Sequence, residues 1–255
     1  MKYEEKPETL EGDWDRFYLE YPDVYDRFAL TSASSVAAMG EMFDLDGKCI
    51  VDVGSGTGRS TFELAKHARF VVGLEPWDPM REFSVRKARS MGIQNVAFVN
   101  GFAEELPFGD NSADHIVSVY SFPFWFVDAG QEGQLLAKRF VADALRIVRA
   151  GGYIIIAGSA PSWDAGELTH ILRSRADGAE RVNRLMTGIP GFECQDIFVV
   201  ADYGSLQEAV ETYGFIYGQR AIDYLVAKNK SSIQWKLRIH YRKVESRNKR
   251  TWALS

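Results

Sequence analysis

The stretch from Lys48 to Ser60, KCIVDVGSGTGRS, restricts what this chain can fold into more than any other part of it. Ile50 to Val53 is an apolar run whose β-branched residues suit a buried strand, with Asp52 as its one acid. Gly54, Gly56 and Gly58 then alternate with small polar residues, and Arg59 to His67 carries apolar positions at helical spacing. Strand, glycine turn and helix predict a nucleotide-type pocket. The glycines let a ligand approach bare backbone, and the helix start offers unpaired N–H groups with partial positive charge.

The glycine spacing narrows the ligand. A dinucleotide fingerprint requires G-x-G-x-x-G, its last glycine packing helix on strand beneath a pyrophosphate. Here the pattern is G-x-G-x-G, and Arg59 and Ser60 stand where that glycine is sought. An NAD(P)-dependent oxidoreductase is therefore a lesser alternative.

Composition removes other classes. The chain has 255 residues, 46% hydrophobic, enough for one domain with a proper core. Its formal charge of −5 argues against a dedicated nucleic-acid partner. No run of about eighteen apolar residues suggests a membrane span, and the polar, acidic Met1 to Gly12 is unlike a signal peptide. The two cysteines, Cys49 and Cys194, read as reduced thiols of a cytoplasmic protein. The four histidines, His67, His115, His170 and His240, are scattered without zinc spacing, so no metal is expected.

Along the chain, Trp14 to Phe28 is aromatic-rich, and Pro22 interrupts any single helix there. Helices are expected over Ser32 to Phe43, Pro79 to Met91 and Gly130 to Arg149. Strands are expected over Phe70 to Leu74, Asn95 to Val99, Asp114 to Tyr120 and Tyr153 to Gly158. The alternation predicts an α/β parallel sheet with helices on both faces and the glycine turn at its carboxyl edge. Pro161 to Gly191, with Arg173, Arg175, Arg181 and Arg184, reads as a covering segment with helical stretches. Beyond it come a strand over Glu193 to Ala201, helices over Leu206 to Tyr213 and Gly218 to Lys228, and a last strand over Ser232 to Val244. One domain is expected, divided into an N-terminal tail and lid (1–30), a cofactor half (31–160), a covering insertion (161–191), C-terminal strands and helices (192–244) and a basic tail (245–255).

Four ordered segments resemble the class I S-adenosylmethionine-dependent methyltransferases, of the type acting on small molecules. They are the glycine turn after Val51-Asp52-Val53, the acid of VVGLE ending at Glu75, the GFAEELPF string from Gly101 to Phe108, and ALRIVRAGGYIII from Ala144 to Ile156. The resemblance runs over roughly residues 40 to 160 and departs at Phe102, where an acid is usual, and at Ala150, where proline is usual. It implies a Rossmann-like fold with a seven-stranded, mostly parallel sheet and an antiparallel last strand. It also implies S-adenosylmethionine as cofactor and S-adenosylhomocysteine as product. Glu75 would take the ribose diol, since a carboxylate accepts two charge-assisted hydrogen bonds. Pro76 or Trp77 would pack on adenine, with Phe102, Ala103 and Glu104 passing it. Asp52, Gly54, Ser55 and Gly56 would hold the amino-acid head, Asp52 reaching the ammonium directly or through water and the backbone N–H groups serving the carboxylate. The end of the fourth strand, Val119 to Phe122 with Tyr120, would pass the methionine moiety. Gly151 and Gly152 would end the long helix.

The acceptor side is less defined. Tyr120 to Phe126 (YSFPFWF) offers aromatic surface, to which Tyr18, Tyr21, Tyr25 and Trp163 add. Such a box suits a flat apolar acceptor or an amine held by cation–π contact. Tyr120, His170 and Tyr18 are candidate catalytic groups, none with a fixed role. The basic residues Lys228, Lys230, Lys236, Arg238, Arg242, Lys243, Arg247, Lys249 and Arg250 read as a solvated face and tail, or as a dock for an anionic partner. The leading expectation is a methyltransferase acting on a small molecule. A non-catalytic cofactor-binding or interaction module on the same fold is the other class. Oligomeric state is left open.

Overall fold

A computed structural model describes residues 14–123, 130–172 and 178–246. Phe124, Trp125 and Phe126, Arg173 and Arg175, the segment 1–12, and Arg247, Lys249 and Arg250 lie outside the described residues.

Two short helices open the described chain, α1 (Trp14–Glu20) and α2 (Pro22–Phe28). The break falls at Tyr21 because Pro22 lacks an N–H and fits only the first turn of a new helix. Then follow α3 (Leu30–Met42), β1 (Cys49–Val53), α4 (Arg59–Ala65), β2 (Phe70–Leu74), α5 (Asp78–Met91), β3 (Val96–Val99) and β4 (Ala113–Val119). The second half holds α6 (Gly130–Ile147), β5 (Val148–Ser159), α7 (Gly178–Thr187) and β6 (Glu193–Asp202). It ends with α8 (Leu206–Ala209), a π-helical turn Val210–Gly214, α9 (Phe215–Tyr217), α10 (Gln219–Lys228) and β7 (Ser232–Lys243).

The seven strands form one sheet in the order β3-β2-β1-β4-β5-β7-β6. β7 runs antiparallel to both neighbours, and the other paired neighbours are parallel. Apolar side chains leave both faces, as expected of a parallel sheet covered on each side. Val51, Val53, Ile116, Ile154 and Ile156 pack beneath α6 and α7. Ile50, Val71, Val117, Val119 and Ile155 pack beneath α3 and α4. A third cluster joins the aromatic residues of α1 and α2 to Tyr213, Tyr217, Trp235 and Leu237. Strand order reverses at β1, whose carboxyl end therefore opens a crevice between the crossovers to β2 and to β4.

One expectation needs correction. The helix before β5 stops at Ile147, and Gly151 and Gly152 lie inside the strand rather than at a helix end. They serve a register jump, from Ala113 opposite Val148 to His115 opposite Tyr153. A Cβ on Gly152 would lie 1.9 Å from the Asp114 carbonyl oxygen, so only glycine passes there. The segment after β5 holds a short extended piece, Asp164–Glu167, outside the main sheet, and further on the helix α7 with Arg181 and Arg184.

Candidate functional site

At the carboxyl ends of β1, β2 and β4 lies a cavity of about 450 Å³. The glycine turn forms one wall. Gly54 has φ +72°, and a Cβ there would fall 1.7 Å from Ser121 Oγ, so the turn closes against the residue after Tyr120 only because it is bare. Gly56, at φ +54°, faces the ring of Tyr25, 3.4 Å from where its Cβ would stand. The Gly54 and Ser55 N–H groups both donate to the Leu74 carbonyl, at 2.8 and 3.1 Å, which locks the turn onto β2.

Asp52 supports this turn from behind. It is fully buried, and its Oδ2 accepts the hydroxyls of Ser60 at 2.7 Å and Thr61 at 2.6 Å in the first turn of α4. Burial pushes its pKa up to about 6 against those two hydrogen bonds. It stands behind the turn and does not itself line the cavity. Ser55 likewise turns away, its Oγ packed against Gly73 of β2. Nor are the Gly54 and Gly56 N–H groups free for a carboxylate, because Leu74 and Glu75 hold them.

Glu75 is where β2 ends. Its side chain is buried beside the cavity, with Oε2 accepting the Gly56 N–H at 2.8 Å and Oε1 the Trp77 N–H at 3.0 Å. Burial raises its pKa to about 7, opposed by these two donors. Each oxygen keeps a lone pair for a further donor. Pro76, Trp77 and Met80 continue the wall, and Gly101, Phe102, Ala103 and Glu104 face them. Phe102 is 58% exposed and forms the rim, while Glu104 lines the cavity and Glu105 points outward. Arg146, in the last turn of α6, holds this loop by donating to the Phe108 carbonyl at 2.8 Å and to Asp110 at 2.9 Å.

Of the aromatic candidates, Tyr18, Tyr25 and Tyr120 line the cavity. Tyr120 sits at φ +56°, a strained backbone for a non-glycine residue, with its hydroxyl turned toward Thr31 and Ser159. Burial holds its pKa well above the ordinary phenol, which favours the protonated form. Tyr21 packs on Phe215 instead, and Trp163 stacks edge-on against Phe198 away from the cavity. His170 is exposed on a turn after β5 and does not line the cavity, so the structure gives it no part in this site. Among the described residues no His, Cys, Asp and Glu cluster could hold a metal ion.

The basic residues of the C-terminal half are largely paired. Lys236 and Arg238 share Asp196, Lys230 meets Glu167, and Arg242 donates to the Pro190 carbonyl. Sequence reasoning missed Val53, Leu74 and Met80 in the lining, whereas the string opening at Gly101 and the end of β4 pointed to Gly101 and Ser121. The place of Val53 and Leu74 at the carboxyl ends of their strands was the available signal for those two.

A methyltransferase domain model matches residues 51–156. The fatty-acid O-methyltransferase of Mycolicibacterium smegmatis is 28% identical over 154 residues, 58% of this chain and 50% of that protein. The demethylmenaquinone methyltransferase of Clavibacter sepedonicus is 28% identical over 151 residues, 57% of each chain. The matched region thus spans little more than half the length of these curated relatives. Among solved structures, the YcgJ protein of Bacillus subtilis superposes with a TM-score of 0.55 at 18% identity, covering 84% of this chain and 99% of that one, a likeness of fold. Glycine turn, strand order and these matches together make residues 51–156 similar to a methyltransferase domain.

Proposed function

We propose that this protein transfers the methyl group of S-adenosylmethionine to a small-molecule acceptor and releases S-adenosylhomocysteine. One observation carries the reading. Glu75 is a buried acid beside the cavity whose two oxygens are each half-used by backbone donors from the glycine turn and from the start of α5. What remains is one acceptor position per oxygen, the pattern a vicinal ribose diol fills.

The other residues fit the rest of the cofactor. Trp77, Pro76 and Met80 offer apolar surface to one side of an adenine, and Phe102 and Ala103 to the other. Gly54 and Gly56 line the part of the cavity where the amino-acid arm would lie, with Ser121, Tyr18 and Tyr25 as its neighbours. When bound, the sulfonium supplies an electrophilic methyl group for in-line displacement by an acceptor lone pair. This chain's part is to position the two molecules and keep water out. Tyr120, rigid at the end of β4, and the Tyr18–Tyr25 pair form the aromatic wall against which the acceptor would lie, suited to an aromatic ring or an amine. That the relatives named above act on a fatty acid and on a demethylmenaquinone supports a small-molecule acceptor.

Calorimetric titration with S-adenosylmethionine and S-adenosylhomocysteine tests the first half, and binding of both is expected. Label transfer from methyl-labelled cofactor to a panel of quinones, phenols, amines and carboxylates tests the second. Binding of neither ligand would sink the reading. Binding without transfer to any acceptor would replace it with a non-catalytic cofactor-binding module.

A further inference from the structure

The helices over the cavity are tied down by a single buried acid. Tyr25 of α2 covers the glycine turn and stacks edge-on with Tyr18 of α1, 5.3 Å between ring centres. The next residue, Asp26, turns its side chain the other way, into the protein, and is buried. Both of its carboxylate oxygens accept from Lys87 Nζ at 2.6 Å, and Oδ2 also meets Arg59 Nη2 at 3.2 Å. Its carbonyl oxygen accepts Arg59 Nε at 2.5 Å. Arg59 is the first residue of α4, directly after the glycine turn, and Lys87 lies on α5, the helix that Glu75 leads into. One side chain of α2 is thus fastened to both helices that issue from the cofactor motifs.

The far side of α1 and α2 is attached differently. Trp14 meets Tyr217, Tyr21 meets Phe215, and Phe28 meets Tyr213, Tyr217 and Trp235 by ring contacts. An apolar anchor on the C-terminal helices and an ionic tie beside the turn are the two attachments a hinged cover needs. Apolar contacts tolerate sliding. A buried carboxylate between two cations does not, because removing one partner strands the other charges.

We propose that Asp26 is a positioning residue. Shared between Arg59 and Lys87, it holds Tyr25 and Tyr18 closed over the cavity, and its release sets how fast cofactor enters and product leaves. The last clause rests on the cofactor reading above. The closure itself does not.

Two measurements separate these parts. In the ligand-free protein, Asp26→Asn is expected to raise amide hydrogen exchange across residues 14–28 while β1, β4 and β5 keep their protection. In rapid mixing, the same variant is expected to release S-adenosylhomocysteine at least about tenfold faster, with Asp26→Glu restoring part of the wild-type rate. Lys87→Met, expected to act in the same direction, replaces Asp26→Asn if that variant does not fold. Unchanged exchange in residues 14–28, or a release rate within about twofold of wild type, overturns the proposal. Should the wild-type protein bind no S-adenosylhomocysteine, the functional reading fails, and the exchange measurement still decides the closure.

Discussion

Glu75 is held in a buried site that favours its neutral form, yet a diol needs its ionised form. As pH falls through about 7, the carboxyl takes up a proton and loses an acceptor position. Affinity for S-adenosylhomocysteine is therefore expected to decline below that pH, by at most about tenfold per unit, and to level off above it. Glu75→Gln should bind at least about tenfold more weakly at pH above 8 and show no such slope; calorimetry across the pH range checks both. Gly54 gives a second prediction. Gly54→Ala must place a methyl group into Ser121 Oγ at positive φ, so a loss of at least about 2 kcal/mol is expected in denaturant unfolding. Glu75 was legible in the sequence because VVGLE after the glycine turn resembles the family's second strand and its closing acid. The orientations of Asp52 and Ser55 were not, since a residue at a turn can face the ligand or the helix behind it with the same neighbours in sequence.

At the scale of elements, α6 does more than cover the sheet. Its last turn delivers Arg146 to the loop carrying Phe102, Ala103 and Glu104, where it bonds Phe108 and Asp110 and is itself steadied by Asp143. Arg146→Met is expected to lower the melting point only slightly in a thermal scan, the partly exposed side chain limiting the loss, while weakening cofactor binding several-fold. β2 was read to the residue and β1 to within one, because β-branched runs bounded by polar turns leave little choice of register. The sequence signal failed where helical spacing continued through other geometry. Leu206 to Tyr213 reads as one helix, yet the structure passes into a π-helical turn at Val210. Likewise α6 stops two residues before its expected end at Arg149, because Val148 already pairs with Ala113 of β4.

For the molecule as a whole, two buried histidines oppose acid. His115 accepts the Tyr153 N–H on Nδ1 at 3.0 Å, so Nε2 carries the proton and donates to the Asp44 carbonyl at 2.9 Å. Burial lowers its pKa. Burial, with the Arg238 charge, lowers that of His240 to about 4. Groups with depressed folded pKa contribute fully above the unfolded value of about 6.5 and lose that contribution as pH falls toward the folded one. For His240 this amounts to at most about 3 kcal/mol. Glu75 and Asp52, with raised pKa values, act in the opposite direction over the same range. The difference between wild type and His240→Leu isolates the histidine: the variant should gain relative stability steadily from about pH 6.5 to 4 in parallel melting curves. No local pattern announces Asp26 beside Arg59 and Lys87, because those partners stand 33 and 61 residues away. The antiparallel last strand settles one practical matter. β7 returns the chain to the amino end of β5, where Val244 and the Gly151–Gly152 backbone exchange hydrogen bonds of 2.7 and 2.8 Å. The described chain therefore departs from the pole opposite the cavity, while the helices starting at Trp14 lie across its mouth. A support or reporter coupled at Ser246 leaves the mouth clear, whereas one coupled at Trp14 pulls directly on the cover.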